Sequence, residues 1–275
     1  MGWRQEGNPA VKYSLQQTRM TDKTKVLMPH GLSRGERRRA FAGEALASIR
    51  SKWTTVDRTH PSTSRTFGKR AGDMNLRIGT VNVGSINERS GEVADMAARR
   101  RLDFCCLQET RWKGDGATLL GKKGAMYKFL WAGGKEGLAG VGILVAEKWI
   151  EKVIEVKCIS ERIMVLRVTV GKSVLNIVSV YAPQVGRSTV EKEEFYGVLG
   201  KVLSETSTIE SIFVCGDMNG HVGKEADGYH GVHGGNGFGS RNMEGELLLE
   251  FACAMDLVIN CKHIVQQGRS KEDHV

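Results

Sequence analysis

From residue 76 onward, apolar residues gather into short runs rich in Val, Ile and Leu, each closed by Gly, Asn, Asp or Pro. Runs of that length and composition, bounded by turn-forming residues, predict strands at 76–83, 104–109, 141–146, 163–170, 174–181 and 212–217. Stretches in which apolar positions recur every three to four residues predict helices at 90–101, 190–204 and 243–255. The first strand, helix and strand form an α/β crossover unit. The strands 163–170 and 174–181, joined across Gly171 and Lys172, form a hairpin. A mixed sheet system with helices packed outside is the simplest architecture for this order.

Residues 1–73 lack such periodicity. They are expected to be a largely disordered basic segment with one helix at 34–52, where Ser33 and Glu36 fit a capping box and Phe41, Ala45, Ile49 and Trp53 fall on one face. A polar tail, 262–275, closes the chain, and 74–261 is read as one folded domain.

Charge sharpens this division. The chain of 275 residues has 40 Lys and Arg against 31 Asp and Glu. Residues 1–73 contain 15 basic and 6 acidic side chains, a surplus of nine, while the remainder has 25 of each. The folded part is therefore neutral, and a general argument from basicity to nucleic-acid binding fails for it. The run Arg37 to Arg39 suits either a nuclear-localisation or phosphate-contacting arm or a solvated helix face. The cysteines Cys105, Cys106, Cys158, Cys215, Cys253 and Cys261 form no C-x-x-C pair, so buried reduced thiols are expected. No apolar run approaches the roughly 18 residues of a membrane span and no signal-peptide core follows Met1, which predicts an intracellular protein without a membrane partner.

The informative polar residues close apolar strands, where a side chain is held rigidly at the rim of a sheet. Asn82 ends TVNVGS, Glu109 follows the apolar run 104–107 in CCLQET, Tyr181 precedes Pro183 in SVYAPQ, and Asp217 and Asn219 share the turn GDMNGHVG. Singly, each reads as an ordinary turn or solvated strand end. Together they offer oxygen ligands for a hard divalent cation and neutral donors for a phosphate. Three nearby patterns are decoys. GATLLGKK (116–123) lacks the hydroxyl that ends a phosphate-binding loop. Gly137, Gly140 and Gly142 precede a strand instead of joining one to a helix. His221, His230 and His233 match no zinc spacing.

The segments TVNVGSI, LQETRW, GVGILV, VSVYAPQ and GDMNGHVG, in this order, resemble the endonuclease/exonuclease/phosphatase superfamily. Within it they most resemble the apurinic-type endonuclease domains of non-LTR retrotransposons and the related craniofacial development protein 2-like sequences. GFGSRNMEGELLLEF (237–251) is the stretch most distinctive of that subgroup. The resemblance implies an α+β fold: a two-sheet β-sandwich flanked by helices in four α/β/β/α layers. It implies Mg²⁺, or Mn²⁺ in its place, held by Glu109 against the scissile phosphate. Asp217 would deprotonate the attacking water, Asn219 would bond the phosphate, Tyr181 would donate to the developing phosphorane, and Asn82 would position the metal ligand or its water.

Two departures accompany this. Gly84 stands where many apurinic endonucleases carry an Asp, which leaves a second metal ligand open. The likeness also ends near Cys261, before the strands that in the family carry an Asp-His dyad; Asp273 and His274 mimic it too close to Cys261 to serve. The last strands are thus expected to be missing, leaving sheet edges for self-association. The implied function is Mg²⁺-dependent hydrolysis of DNA phosphodiester bonds, nicking or apurinic-site cutting, weakened by truncation, in the nucleus in preference to the cytoplasm. The alternatives are an inactive remnant that binds nucleic acid or a protein, and a phosphatase of the same superfamily.

Overall fold

The computed structural model describes residues 13–19, 75–235 and 237–259. The helix expected at 34–52, the basic run at Arg37, the tail 262–275 with its Asp273 and His274, and Cys261 lie outside them. One six-stranded sheet has the order β1 (Tyr13–Arg19), β2 (Asn75–Asn82), β3 (Phe104–Gln108), β6 (Val141–Ala146), β5 (Ala125–Ala132), β4 (Asp115–Lys122). A four-stranded sheet has the order β10 (Ser211–Asp217), β9 (Ser173–Tyr181), β8 (Ile163–Val170), β7 (Val153–Ser160). Helix α1 (Ser90–Arg99) packs outside the first sheet, and α3 (Thr189–Ser204) and α4 (Met243–Ala254) outside the second; α2 (Glu147–Ile150) is a single turn after β6. The four-layer sandwich expected from the sequence is the fold.

Three apolar layers hold it together. Phe104, Cys106 and Ile143 from the first sheet meet Met164, Leu166 and Ile177 from the second between the sheets. The alternate residues of β3, Cys105 and Leu107, point outward to Val93 and Ala97 of α1. All five residues of β3 are buried, as a central strand covered on both faces requires. Val165, Val178 and Val180 meet Phe195, Leu199 and Phe251 of α3 and α4 on the far side. Each fully buried side chain of this size contributes roughly 1.5–3 kcal/mol relative to exposure, so the sandwich is fixed mainly by these layers.

Where the structure differs from the sequence reading, the reasons are local. Strands β4, β5 and β7, the turn α2 and the N-terminal strand β1 were not anticipated. The outer strands β4 and β7 are largely exposed and carry Lys, Glu and Gly, so no apolar run marks them. Strand β1 pairs antiparallel with β2, placing Tyr13 opposite Val81, so at these seven residues the expected disorder gives way to a sheet. GATLLGKK lies in β4, a strand and not a phosphate loop. Cys105, Cys106 and Cys215 are buried, but Cys158 and Cys253 are exposed, which corrects the uniform burial expected of the thiols. Among the described residues no helix is long and apolar enough to cross a membrane.

The topology also explains where the chemistry sits. Strands β2 and β3 run parallel in one sheet, with Asn82 beside Gln108, and β9 and β10 run parallel in the other, with Tyr181 beside Asp217. Across the sandwich β2 packs against β10 and β3 against β9. The carboxyl ends of all four strands therefore meet at one end of the molecule.

Candidate active site

That end brings together all five residues named from the sequence. Asn82 is the last residue of β2, and its two amide protons serve two carboxylates: Nδ2 donates to Glu109 Oε1 at 2.8 Å and to Asp217 Oδ2 at 3.3 Å. Its Oδ1 accepts from Gly84 N at 3.0 Å, where the chain turns with positive φ. No atom lies near the place a Cβ at Gly84 would occupy. The side chain is therefore fixed at both ends, and the carboxylates are fixed by it.

Glu109 lies just beyond β3, not in it, with a left-handed φ of 55°. A non-glycine residue reaches that region only at a cost the surroundings must offset. Here Thr110 N donates to Gly140 O at 3.1 Å and Arg111 N to Ala139 O at 2.9 Å, pinning the turn to the strand entry of β6. The turn aims Glu109 across to the second sheet, where Tyr181 OH donates to Oε1 at 2.9 Å. Arg111 Nη2 approaches Oε2 at 3.3 Å. Partial burial pushes the Glu109 carboxyl up, but the bonds from Asn82, Tyr181 and Arg111 outweigh it and hold the group below the ordinary carboxylate range. Glu109 is therefore ionised at neutral pH.

The opposite holds for the phenol. Burial, then the bond to Glu109, pushes Tyr181 up to about 12, so it remains a proton donor at neutral pH. Arg162 packs its guanidinium 5.2 Å from the Tyr181 ring centre and donates to Tyr181 O at 3.2 Å, while Gln184 Nε2 donates to the phenol oxygen at 3.2 Å. The single phenol proton is committed to Glu109 in this geometry, so the first role of Tyr181 is to orient that carboxylate.

Asp217 closes β10, and the turn after it is built around its side chain. Asn219 N donates to Asp217 Oδ1 at 3.0 Å, with Asn219 itself at φ 49°. Asn219 Nδ2 donates to Ala182 O at 2.8 Å, which uses one of its two amide protons. Gly216 is required here because a Cβ would stand 1.9 Å from Val180 O.

The distinctive stretch 237–251 does not reach the carboxylates. It fastens the loop after Asp217 to α4. Asn242 caps the helix by accepting from Gly245 N at 2.9 Å and also accepts from His221 N at 2.8 Å. A Cβ at Gly245 would stand 1.9 Å from His221 O. Arg241 pairs with Glu246 at 3.1 Å, and Glu244 pairs with Lys192 at 2.8 Å, both partners of that second pair being buried. His233 Nε2 lies 2.9 Å from Gly223 O, closing the same loop; His221 and His230 are exposed.

A cleft of about 470 Å³ opens beside β10, between Ile78 and Thr80 of β2 and Phe251 of α4, and ends at Asp217 and Asn219. Glu109, Asn82 and Tyr181 are not in its wall, so the cleft meets the carboxylate cluster at Asp217, while Glu109 keeps part of its side chain open to solvent. The donor set suits a hard cation: Glu109 and Asp217 offer only oxygens, with no sulfur or imidazole among their contacts, and Asn82 holds the two together through its Nδ2. Among the described residues no group of three or more His, Cys, Asp or Glu side chains is gathered to hold a metal ion. Mg²⁺ commonly binds through one or two carboxylates and keeps several waters, so the residues present fit it.

Comparison with known proteins gives the family. Residues 79–241, more than half of the chain, match the family described as Endonuclease/Exonuclease/phosphatase, and the chain belongs to that family. It is 28% identical over 195 residues to craniofacial development protein 2 of Bos taurus, covering 70% of this chain and 32% of that protein. The chain thus spans about a third of the length of the curated relatives it matches. Among solved structures it is similar to an AP endonuclease from Archaeoglobus fulgidus, with TM-score 0.44, 16% identity, and 65% of this chain and 70% of that chain covered. It is also similar to the endonuclease domain of TRAS1, a telomere-specific non-LTR retrotransposon, with TM-score 0.44, 14% identity, and 66% and 72% covered.

Proposed function

We propose that the chain hydrolyses DNA phosphodiester bonds with a divalent cation, Mg²⁺ or Mn²⁺, as a nicking or apurinic-site endonuclease. One observation carries this reading: Asn82 joins Glu109 and Asp217, carboxylates from different sheets, at the rim where four strand ends meet. Two carboxylates joined by the neutral Asn82, with one half-exposed Arg on Glu109 as the cation among the described residues, leave negative charge over, which a cation and then a phosphate would satisfy.

A cation held by Glu109, whose place Asn82 fixes, would supply Lewis acidity and neutralise charge on a non-bridging phosphate oxygen. The remaining roles belong to the protein. Asp217, steadied at one oxygen by Asn219 N and at the other by Asn82, accepts the proton of the attacking water. Asn219 offers the phosphate its second amide proton. Tyr181 holds Glu109 in place, and its phenol donates to the phosphate once that hold is released. DNA as the substrate rests on the family and on the names of its relatives, and we take the nucleus as the compartment. No protein partner is required for this chemistry.

The test is cleavage of supercoiled plasmid and of a duplex with one abasic site, with Mg²⁺ and with chelator, by wild type and Glu109→Ala. The expected result is nicking that needs the metal and is lost in Glu109→Ala. Metal-independent DNA binding without nicking, by a protein shown to be folded, would instead favour an inactive binding remnant. Turnover of a phosphomonoester but not DNA would favour a phosphatase.

A further inference from the structure

Arg111 has no part in the hydrolysis so far, yet among the described residues it is the cation that touches Glu109. The two oxygens of Glu109 are treated differently. Oε1 takes two neutral donors, Asn82 at 2.8 Å and Tyr181 at 2.9 Å, whereas Oε2 is met by the Arg111 guanidinium at 3.3 Å. The Arg111 side chain is 50% exposed while that of Glu109 is 16% exposed. Its backbone, by contrast, is immobilised: Arg111 N bonds Ala139 O, and a Cβ at Gly137 would stand 2.9 Å from Arg111 O. A fixed root with a long, solvated arm can leave Oε2 and still remain within reach of anything bound there.

From this geometry we infer that Arg111 is a placeholder cation on Glu109 Oε2, displaced by the divalent cation and then free to contact the phosphate the cation brings. The inference rests on the metal-dependent reading of the site. The physical argument is competition for one oxygen. Oε1 already accepts two hydrogen bonds, so Oε2 is the open position for a ligand, and Arg111 occupies it. A long, half-exposed ion pair is weak, so a divalent charge displaces it readily. Before displacement the guanidinium keeps Oε2 oriented and balances one of the two carboxylates. Afterwards it adds a monovalent, bidentate-capable donor on the phosphate side of the metal. Arg111 is thus a positioning residue for Glu109 without metal and a substrate contact with it.

The experiment has two readouts that do not require turnover. Mn²⁺ binding to the full chain without DNA, followed by the paramagnetic resonance of free Mn²⁺, is measured for wild type, Arg111→Ala, Arg111→Lys and Glu109→Gln. Removing the competitor should tighten binding about two- to fivefold in Arg111→Ala, the fold-change of losing one exposed pair. Arg111→Lys should remain near wild type, and Glu109→Gln should abolish that binding. Duplex binding in Ca²⁺ should weaken in Arg111→Ala, with the salt dependence reduced by about one phosphate contact. Unchanged or weaker Mn²⁺ binding in a folded Arg111→Ala overturns the inference while leaving the metal reading of Glu109 standing. Absence of Glu109-dependent binding in wild type and Arg111→Ala alike overturns both.

Discussion

At each end of β10 an asparagine bonds a carboxylate and a second carboxylate lies close by, and the two ends differ in how the charge is settled. At the start of β10, Asn176 donates to Glu210 Oε2 at 2.8 Å, and Arg167 bonds Glu210 at 2.6 Å and Glu155 at 3.1 Å, with Lys157 3.6 Å from Glu155. Hydrogen bonds from Asn176 and Arg167 hold Glu210 below its ordinary value. Two carboxylates meet two cations, and nothing remains to be bound. At the end of β10, Asn82 plays the part of Asn176, but among the described residues Glu109 and Asp217 have one cation between them, Arg111, which meets Glu109 at a long and half-exposed contact. The same strand thus carries a charge-balanced staple at one end and a charge-deficient site at the other. Asparagine beside carboxylate does not mark a site; the shortfall of positive charge does.

Variants can separate these two ends. The largest expected effect is in Glu109→Ala, where nicking should fall by several orders of magnitude because the cation loses its anchor and the Lewis acidity it supplies is worth several kcal/mol. Measurement is by initial nicking rate at saturating Mg²⁺. Next comes Lys192→Ala, which leaves Glu244 buried without its partner between α3 and α4. Urea denaturation should show a loss of about 3–5 kcal/mol, with nicking retained well below the unfolding midpoint. Tyr181→Phe should lower nicking by about tenfold to a hundredfold, since one oriented donor is lost but the carboxylates stay bridged by Asn82.

A smaller effect appears in pH. The Glu109 carboxyl is held below 4.5 in the folded state, so its contribution to stability is present above 4.5 and is lost as pH falls through the lowered value. Tyr181→Phe removes a donor and should move that loss to higher pH in acid unfolding curves. Tyr181 is the reverse case. Its value is raised to about 12, so the stability it contributes is intact below 10 and declines between 10 and about 12. The smallest effect belongs to Arg167→Ala at the balanced end, where the melting temperature should fall slightly and the nicking rate should not change.

Much of this was legible in the sequence. The central strands were visible because burial on both faces demands unbroken apolar runs, as in β3, β6 and the first four residues of β8. The outer strands were not, since β7 with Glu155 and Lys157 has one solvated face and no run to betray it. The site residues stood out because each interrupts a strand at its carboxyl end, a local signal. Arg111, Arg162 and Gln184 were missed because they lie in the turns flanking the strands and not at strand ends: Arg111 and Gln184 fold back on Glu109 and Tyr181 two and three residues away, and Arg162 reaches Tyr181 through the pairing of β8 with β9. The GFGSRNMEGE stretch was legible as distinctive, yet spacing could not reveal that it fastens a loop through Gly245 and the Lys192 to Glu244 pair.

The central claim is that the charge-deficient end is the hydrolytic one, and Asp217→Asn tests it most directly. The change keeps the size of the side chain and an acceptor for Asn219 N, puts an amide where Oδ2 accepts from Asn82, and removes the base. With melting temperature matched to wild type and Mn²⁺ at saturation, single-turnover nicking should fall about 10²- to 10⁴-fold. Nicking at the wild-type rate by that folded variant would contradict the account and move the chemistry away from the strand ends.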